Sequence, residues 1–168
     1  IRNAPRLMKT APELLDVAPG PEFDATLVKA LRNKELAINK EAAAVPSGTT
    51  IPKAKILPKF REIVEQAKSS PYTLGAAAKL QKVIQTWNQL PDNIPFEQFR
   101  QLKQQFLDDA KTKTFYDAHR VLMDLENDVS AGLRNANGEY SIVKRGIDDA
   151  GIIVVRDGAK NIINFQRV

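Results

Sequence analysis

The sequence predicts an all-α fold, an elongated bundle of about five or six antiparallel helices in hairpins, with a short β-hairpin as one option for the C-terminal end. Apolar residues recur every three or four positions through most of residues 24–150, which is the spacing of a helix face. Prolines and glycines interrupt this pattern between the helical stretches. Since 43% of the 168 residues are hydrophobic, the chain has enough apolar surface to bury a core. We therefore divide it into an arm (1–23), a helical bundle (24–150) and a C-terminal segment (151–168).

The arm is rich in proline, with Pro5, Pro12, Pro19 and Pro21. Because proline fixes its own φ and disfavours helix in the residue before it, the arm is predicted to be extended. Its larger apolar residues have no evident core position within their own segment. These residues are Leu7, Met8, Leu14 and Leu15. We expect them to form an interface with a neighbouring subunit or with another part of the parent protein.

Three helices are predicted next, over about residues 24–44, 52–68 and 70–90. Asp24 is a suitable N-cap for the first, because its carboxylate can accept from the free backbone N–H groups of the first turn. Pro58 lies near the first turns of the second helix, which therefore starts or bends there. Ser70 followed by Pro71 is a start signal for the third helix, and Pro91 ends it.

A tight connection over Pro91–Pro95 leads to the fourth helix and then to the fifth, which starts at about Thr114. The fourth has an apolar stripe formed by Phe96, Phe99, Leu102, Phe106 and Ala110. The stripe of the fifth is formed by Phe115, Ala118, Leu122, Leu125 and Val129. The same register continues to Ala150, which favours one long helix or two nearly collinear ones. Because glycine weakens a helix interior, we expect a break near residues 135–138.

The C-terminal segment carries two conflicting signals. Ile152–Val155 and Asn161–Phe165 are rich in β-branched or apolar residues, and Asp157-Gly158 is a pair favoured in two-residue hairpin turns, which together indicate a β-hairpin. The continuing apolar periodicity indicates a helix instead. Both interpretations stay open from the sequence alone.

A loose internal similarity links residues 59–63 to residues 98–102. Each stretch precedes an Ala-Lys pair and then a tyrosine, Tyr72 or Tyr116, before a second helix. This indicates either tandem helical hairpins of roughly 40 residues or the ordinary likeness of two amphipathic hairpins of similar composition.

Composition excludes several kinds of site. The chain has no cysteine and one histidine, which excludes disulfides, thiolate nucleophiles, and zinc sites of the cysteine type. The formal net charge is +5, but basic residues are interspersed with acidic ones, as on a solvated helix face. No apolar run is long enough to span a bilayer. Because the chain opens on Ile1, we expect a processed product, an excised domain or part of a longer chain.

No candidate catalytic, cofactor-binding or metal site emerges. His119 is interpreted as a residue at the edge of an apolar stripe with an ordinary surface pKa, for which Asp109 or Asp117 would be the nearest carboxylates. The adjacent pairs Asp108-Asp109 and Asp148-Asp149 diverge by about 100° on a helix and cannot easily share a proton or a metal. The aromatic residues occupy core positions, and among them Trp87 could donate its indole N–H to a loop carbonyl.

Three stretches resemble segments of a known class of proteins. Ile94–Lys103 is a helix opening with a short apolar turn, Leu125–Val129 carries an acidic pair near a helix end, and Ala136–Lys144 has the pattern Ala-Asn-x-x-Tyr-x-x-x-Lys. They resemble helical segments of large tailed-phage proteins: internal virion proteins ejected with the DNA and the related polyvalent proteins. The resemblance implies a structural role in assembly with copies of the chain or with other virion proteins such as portal and tail proteins. It implies no cofactor and no catalytic residue.

Three functional hypotheses follow. The first is a non-catalytic assembly module, located in the virion or, before assembly, in the cytoplasm of the bacterial host. The second is a helical module that makes weak contact with nucleic acid, whose affinity would fall steeply with salt. The third is a non-catalytic part of a larger enzyme.

Overall fold

The computed structural model describes residues 21–109 and 111–167. Helices account for 69% of the structure, and a small antiparallel β-hairpin follows the last of them, so the predicted mostly helical fold with a C-terminal hairpin is confirmed. The helices are α1 (Pro21–Ala43), α2 (Leu57–Ala67), α3 (Leu74–Trp87), α4 (Phe96–Asp109), α5 (Lys113–Val129) and α6 (Ala131–Asp149). The strands are β1 (Thr50–Pro52), β2 (Asn93–Pro95), β3 (Ile152–Arg156) and β4 (Ile162–Arg167), with one 3-10 turn at Lys53–Lys55.

The chain divides into two compact units. The terminal unit combines residues 21–44 with residues 131–167, and the inserted unit is Val45–Ser130. The terminal unit is therefore discontinuous in sequence. Residues 24–150, which we described as one bundle from the sequence, contain parts of both units, and the β3–β4 hairpin belongs to the terminal one.

In the terminal unit α1 packs along α6, and the β3–β4 hairpin covers them. The core is made by apolar residues from all four elements, including Leu27, Leu31, Val143, Ile147, Ile152 and Ile162. Helix α1 begins at Pro21, so the prediction that Asp24 is the N-cap of this helix is wrong. Proline is well suited to the first helical position because its φ is already helical and its missing N–H is not needed there. Asp24 is buried in the first turn and forms an ion pair.

The hairpin pairs Ile152 with Arg167 and Val154 with Phe165, and a bulge lies between Val155 and Arg156. Its loop is longer than the two-residue turn that Asp157-Gly158 suggested. The carboxylate of Asp157 accepts hydrogen bonds from the backbone N–H groups of Ala159 and Asn161. The left-handed position is Lys160, at φ 68°, which agrees with a longer loop closed by an aspartate-based turn.

The inserted unit contains α2, α3, α4 and α5. Its centre is an aromatic cluster formed by Phe60, Trp87, Phe106 and Phe115, with neighbouring ring centroids 5.2–5.7 Å apart. Segments that we expected to be a helix start and a tight connection form instead a two-stranded sheet, β1–β2, in which Ile51 faces Ile94. The two isoleucines are buried, so strand pairing at this point completes the core.

The similarity between residues 59–63 and 98–102 falls on two helical hairpins of the inserted unit, α2–α3 and α4–α5. Phe60 and Phe99 are both fully buried, and Tyr72 and Tyr116 are both exposed. The two phenylalanines therefore have corresponding places in the core.

The break in the long C-terminal helical region lies at Ser130, not near residues 135–138 as expected. Ser130 has extended backbone angles, φ −155° and ψ 151°, and α6 then continues through Gly132 and Gly138. Serine is among the preferred residues immediately before a helix, which explains the position of the break. A Cβ at Gly132 would overlap the Glu41 carboxylate, so the end of that flexible side chain would have to move.

Candidate functional site

Strand alternation gives the β3–β4 hairpin an inner and an outer face. On the inner face Ile152 and Ile162 are buried in the core of the terminal unit, and Val154 and Phe165 pack against it. On the outer face Ile153 and Val155 are exposed. Ile163 has no cross-strand partner at the bulge and is 60% exposed. Three β-branched apolar residues therefore face solvent on a sheet of only two strands.

Two arginines fix the hairpin to α1. Arg156 donates from Nη1 to Oε1 of Glu35 at 3.1 Å and from Nη2 to Oε2 at 2.5 Å. Arg167 makes the equivalent pair of bonds to Asp24. Asp24 and Glu35 are eleven residues apart, about three helical turns, so they lie on the same side of α1. The two bidentate pairs hold the two ends of the hairpin along one helix.

Tyr140 of α6 lies next to the Arg156–Glu35 pair. Its burial raises the pKa of the phenol, and the Glu35 carboxylate raises it further. Hydrogen bonding to Glu35 raises the pKa of Arg156 above its already high value. Arg156 therefore stays charged and Tyr140 stays neutral near neutral pH, which suits a structural link rather than proton transfer.

A groove lies between α1 and β4, and we name it the α1–β4 groove. Its volume is about 430 Å³, and it is lined by Ala25, Val28, Lys29, Arg32, Asn33, Ile163, Asn164 and Phe165. Val28 and Phe165 give it an apolar floor, while Lys29 and Arg32 provide positive charge on the α1 wall. No carboxylate lines the groove among the residues that the structure describes.

The β4 wall of the groove is also a free strand edge. Arg32 donates from Nη2 to the carbonyl oxygen of Ile162 at 3.2 Å. The backbone N–H of Phe165 donates to Oδ1 of Asn164 at 2.8 Å. Both contacts involve the main chain of β4, whose only strand partner among the described residues is β3.

A second polar cluster lies in the core of the inserted unit. Glu126 of α5 is fully buried, and its Oε2 lies 2.6 Å from Nζ of the buried Lys103 of α4. Nε of Arg100 lies 3.8 Å from the same oxygen. The two apolar stripes predict a core seam of Leu122, Leu125 and Val129 with Phe99, Leu102 and Phe106. Phe99, Phe106 and Leu122 are buried, but Leu102, Leu125 and Val129 are only half-buried, while Lys103 and Glu126 are buried.

His119 is half-buried beside this cluster, which corrects the expectation of a surface residue with an ordinary pKa. Burial lowers the pKa of the imidazole, the Lys103 ammonium lowers it further, and Glu126 opposes both. Burial also lowers the pKa of Lys103, against the opposing effect of Glu126. The nearby carboxylate is Glu126, not Asp117, which pairs with Lys113.

The other residues considered from the sequence occupy ordinary positions. Asp148 pairs with Lys144, and Trp87 packs between Phe60 and Phe106. Over residues 21–109 and 111–167, no three His, Asp or Glu side chains are close enough to hold a metal ion. The predicted interface residues of the arm lie outside the described residues. These are Leu7, Met8, Leu14 and Leu15.

The groove was missed from the sequence. Its one sequence signal is the group of polar residues Lys29, Arg32 and Asn33, which spacings of three and four place on one side of a helix. Such a group is indistinguishable from any solvated helix face until the strand that forms the opposite wall is known.

Comparisons of the chain with family models, curated proteins and solved structures gave no match. In the part of the chain that the structure describes, no helix combines the length and the hydropathy required to cross a membrane.

Proposed function

We propose that this chain is a non-catalytic assembly module that associates with further copies of itself through its terminal unit. The observation that carries this proposal is the presence of three exposed apolar residues on the β3–β4 hairpin: Ile153, Val155 and Ile163. Exposed apolar surface beside polar residues is a feature of protein interfaces. A two-stranded sheet also leaves strand edges free for a partner.

The rigidity of the hairpin supports the same proposal. Arg156 and Arg167 hold the two ends of the hairpin to α1, so the outer face is presented on a fixed support. A preorganised surface loses little conformational freedom on binding, which favours association. The apolar residues of the arm, Leu7, Met8, Leu14 and Leu15, are proposed to contribute to the same assembly.

The resemblance to tailed-phage proteins supplies the proposed setting. There the chain would be part of an internal virion or polyvalent protein that assembles with itself or with other virion proteins. This setting rests on the helical patterns of Ile94–Lys103 and Ala136–Lys144, and the coding sequence on either side of the chain would test it.

The test is self-association measured by analytical ultracentrifugation for the full chain and for Ile163→Gln. Weaker association of the variant is expected, because a polar side chain replaces an apolar one in the proposed interface. Leu36→Gln is the matched control, since Leu36 of α1 is also 60% exposed but lies outside the hairpin. Circular dichroism of both variants checks that the fold is kept.

Two results would contradict the proposal. One is a wild-type chain that stays monomeric at all accessible concentrations. The other is equal association of the wild type and Ile163→Gln. Binding of duplex DNA that weakens steeply with salt, in a chain that stays monomeric, would favour the nucleic-acid hypothesis instead.

A further inference from the structure

We infer that the α1–β4 groove of one copy binds the acidic part of the arm, residues 12–17, of a second copy. This inference rests on the proposed self-association and identifies which segments meet. The sequence of the segment is Pro-Glu-Leu-Leu-Asp-Val. The groove and the segment match in charge, in apolar content and in length.

Charge is the first match. The groove carries Lys29 and Arg32 and has no carboxylate among its described lining residues. Within residues 10–19 the arm has Glu13 and Asp16 and no basic residue. The segment is therefore locally acidic although the whole chain has a formal net charge of +5. Lys29 forms no ion pair with other described residues, so its ammonium group remains available to an added carboxylate.

Apolar content is the second match. The floor of the groove is formed by Val28 and Phe165, and Ile163 stands exposed at its side. Side chains alternate between the two sides of an extended segment. Because Leu14 and Leu15 are adjacent, one of them faces the floor whichever way the segment is turned. The edge of β4 that does not pair with β3 supplies main-chain groups for such an extended partner.

Length is the third match. The α1 wall runs from Ala25 to Asn33, which is about 12 Å at the rise of a helix. Residues 13–16 span about 10 Å when extended, so the two carboxylates fit within this wall.

The proposed self-association favours a second copy over the same chain, because an arm that bound its own groove would fill that groove without joining two copies. Exchange of arms between two copies satisfies both grooves at once, which gives a closed pair with twofold symmetry.

Charge reversal tests this inference in the full chain. The groove variant is Lys29→Glu with Arg32→Glu, and the arm variant is Glu13→Lys with Asp16→Lys. Each variant alone should self-associate about tenfold more weakly than the wild type or worse, because attractive pairs become repulsive. An equimolar mixture of the two should recover association, since the basic arm meets the acidic groove and the acidic arm meets the basic groove.

The matched control is Lys40→Glu with Arg145→Glu, two exposed residues of the terminal unit outside the groove, with the same change in net charge. It should associate as the wild type does. Circular dichroism confirms that each variant is folded, and Lys29→Glu alone, which leaves the Arg32 hydrogen bond intact, should show a smaller loss in the same direction.

One result is self-association that recovers in a chain with all four changes but not in the mixture of the two variants. It would overturn the exchange of arms between copies and indicate that each chain binds its own arm. Unchanged association of both charge variants, alongside a wild type that does associate, would overturn the groove while leaving the proposed function intact. If the control variant self-associates as weakly as the groove variant, the change in net charge explains the loss, and the inference about the groove is overturned too. A wild-type chain that does not associate would remove both proposals.

Discussion

Arg167, at the end of β4, holds Asp24, in the first turn of α1, with two parallel hydrogen bonds. Its Nη2 lies 2.5 Å from Oδ1, and its Nε lies 3.0 Å from Oδ2. Arg167 also donates from Nη1 to the carbonyl oxygen of Ala150 at 3.0 Å. One side chain therefore connects the first helix, the end of the last helix and the final strand of the terminal unit.

Replacement of this side chain should destabilise the terminal unit. Arg167→Gln leaves the buried Asp24 carboxylate without its charged partner, so the free energy of unfolding should fall by about 2 kcal/mol, as for other charge-assisted hydrogen bonds. Arg167→Lys keeps the charge but loses the planar guanidinium group, so its free energy of unfolding should lie between those of the wild type and Arg167→Gln. Urea unfolding of the three chains checks the order, and equal stability of the wild type and Arg167→Gln would contradict it.

The buried pair Lys103–Glu126 gives a second prediction. Lys103→Met leaves a fully buried carboxylate with weaker compensation, and the free energy of unfolding should fall by about 3–5 kcal/mol. The double variant Lys103→Met with Glu126→Leu should recover most of this loss, because it removes both charges and keeps similar volumes. A double-mutant cycle in denaturant measures the coupling. If the losses in free energy of unfolding of the two single variants add up to the loss of the double variant, the two side chains do not depend on each other.

His119 predicts a dependence of stability on pH. Because its pKa in the folded chain is lowered by burial and by Lys103, protonation is easier in the unfolded chain. The stabilisation is thus complete above the unfolded pKa of about 6.5 and is lost as the pH falls through the lower folded value. His119→Gln should reduce this loss in unfolding experiments between pH 7 and pH 5. If the free energy of unfolding changes equally with pH in the wild type and in His119→Gln, other titratable groups cause the pH dependence.

Two leucines of α5 should differ in their importance. Leu122 is fully buried, so Leu122→Ala should lower the free energy of unfolding by about 2–5 kcal/mol. Leu125 is only half-buried, and Leu125→Ala should cost roughly 1 kcal/mol because less apolar surface is lost from the core. Thermal and urea unfolding of both variants check this order. The reverse order would show that Leu125, rather than Leu122, lies at the core face of α5.

The comparison of these leucines shows what sequence periodicity predicts and what it misses. The 3.6-residue repeat located all the helices of the inserted unit, and the β-branched runs indicated the C-terminal hairpin as one of two alternatives. Periodicity assumes that charged residues face solvent. It therefore placed Leu125 where Glu126 lies, because the compensating Lys103 is on another helix and is invisible in a local pattern.

The same reason explains the missed features of the terminal unit. Asp24 has a residue type suited to capping a helix, but its role is decided by Arg167, which is far away in sequence. The α1–β4 groove likewise has walls from opposite ends of the chain. Local sequence carries neither relationship, since each depends on which distant elements pack together. The arm's apolar residues, which the sequence did indicate, stay a prediction.

The discontinuity of the terminal unit has a consequence during synthesis. The ribosome makes α1 before its core partners in α6 and the hairpin, which follow only after the whole of Val45–Ser130. At ordinary rates of translation this interval lasts on the order of ten seconds. The inserted unit has all its residues by then and folds as a unit, while Leu27 and Leu31 of α1 still lack their final neighbours. The nascent chain thus carries an uncovered apolar helix, which is a site for chaperone binding until α6 and the hairpin have emerged.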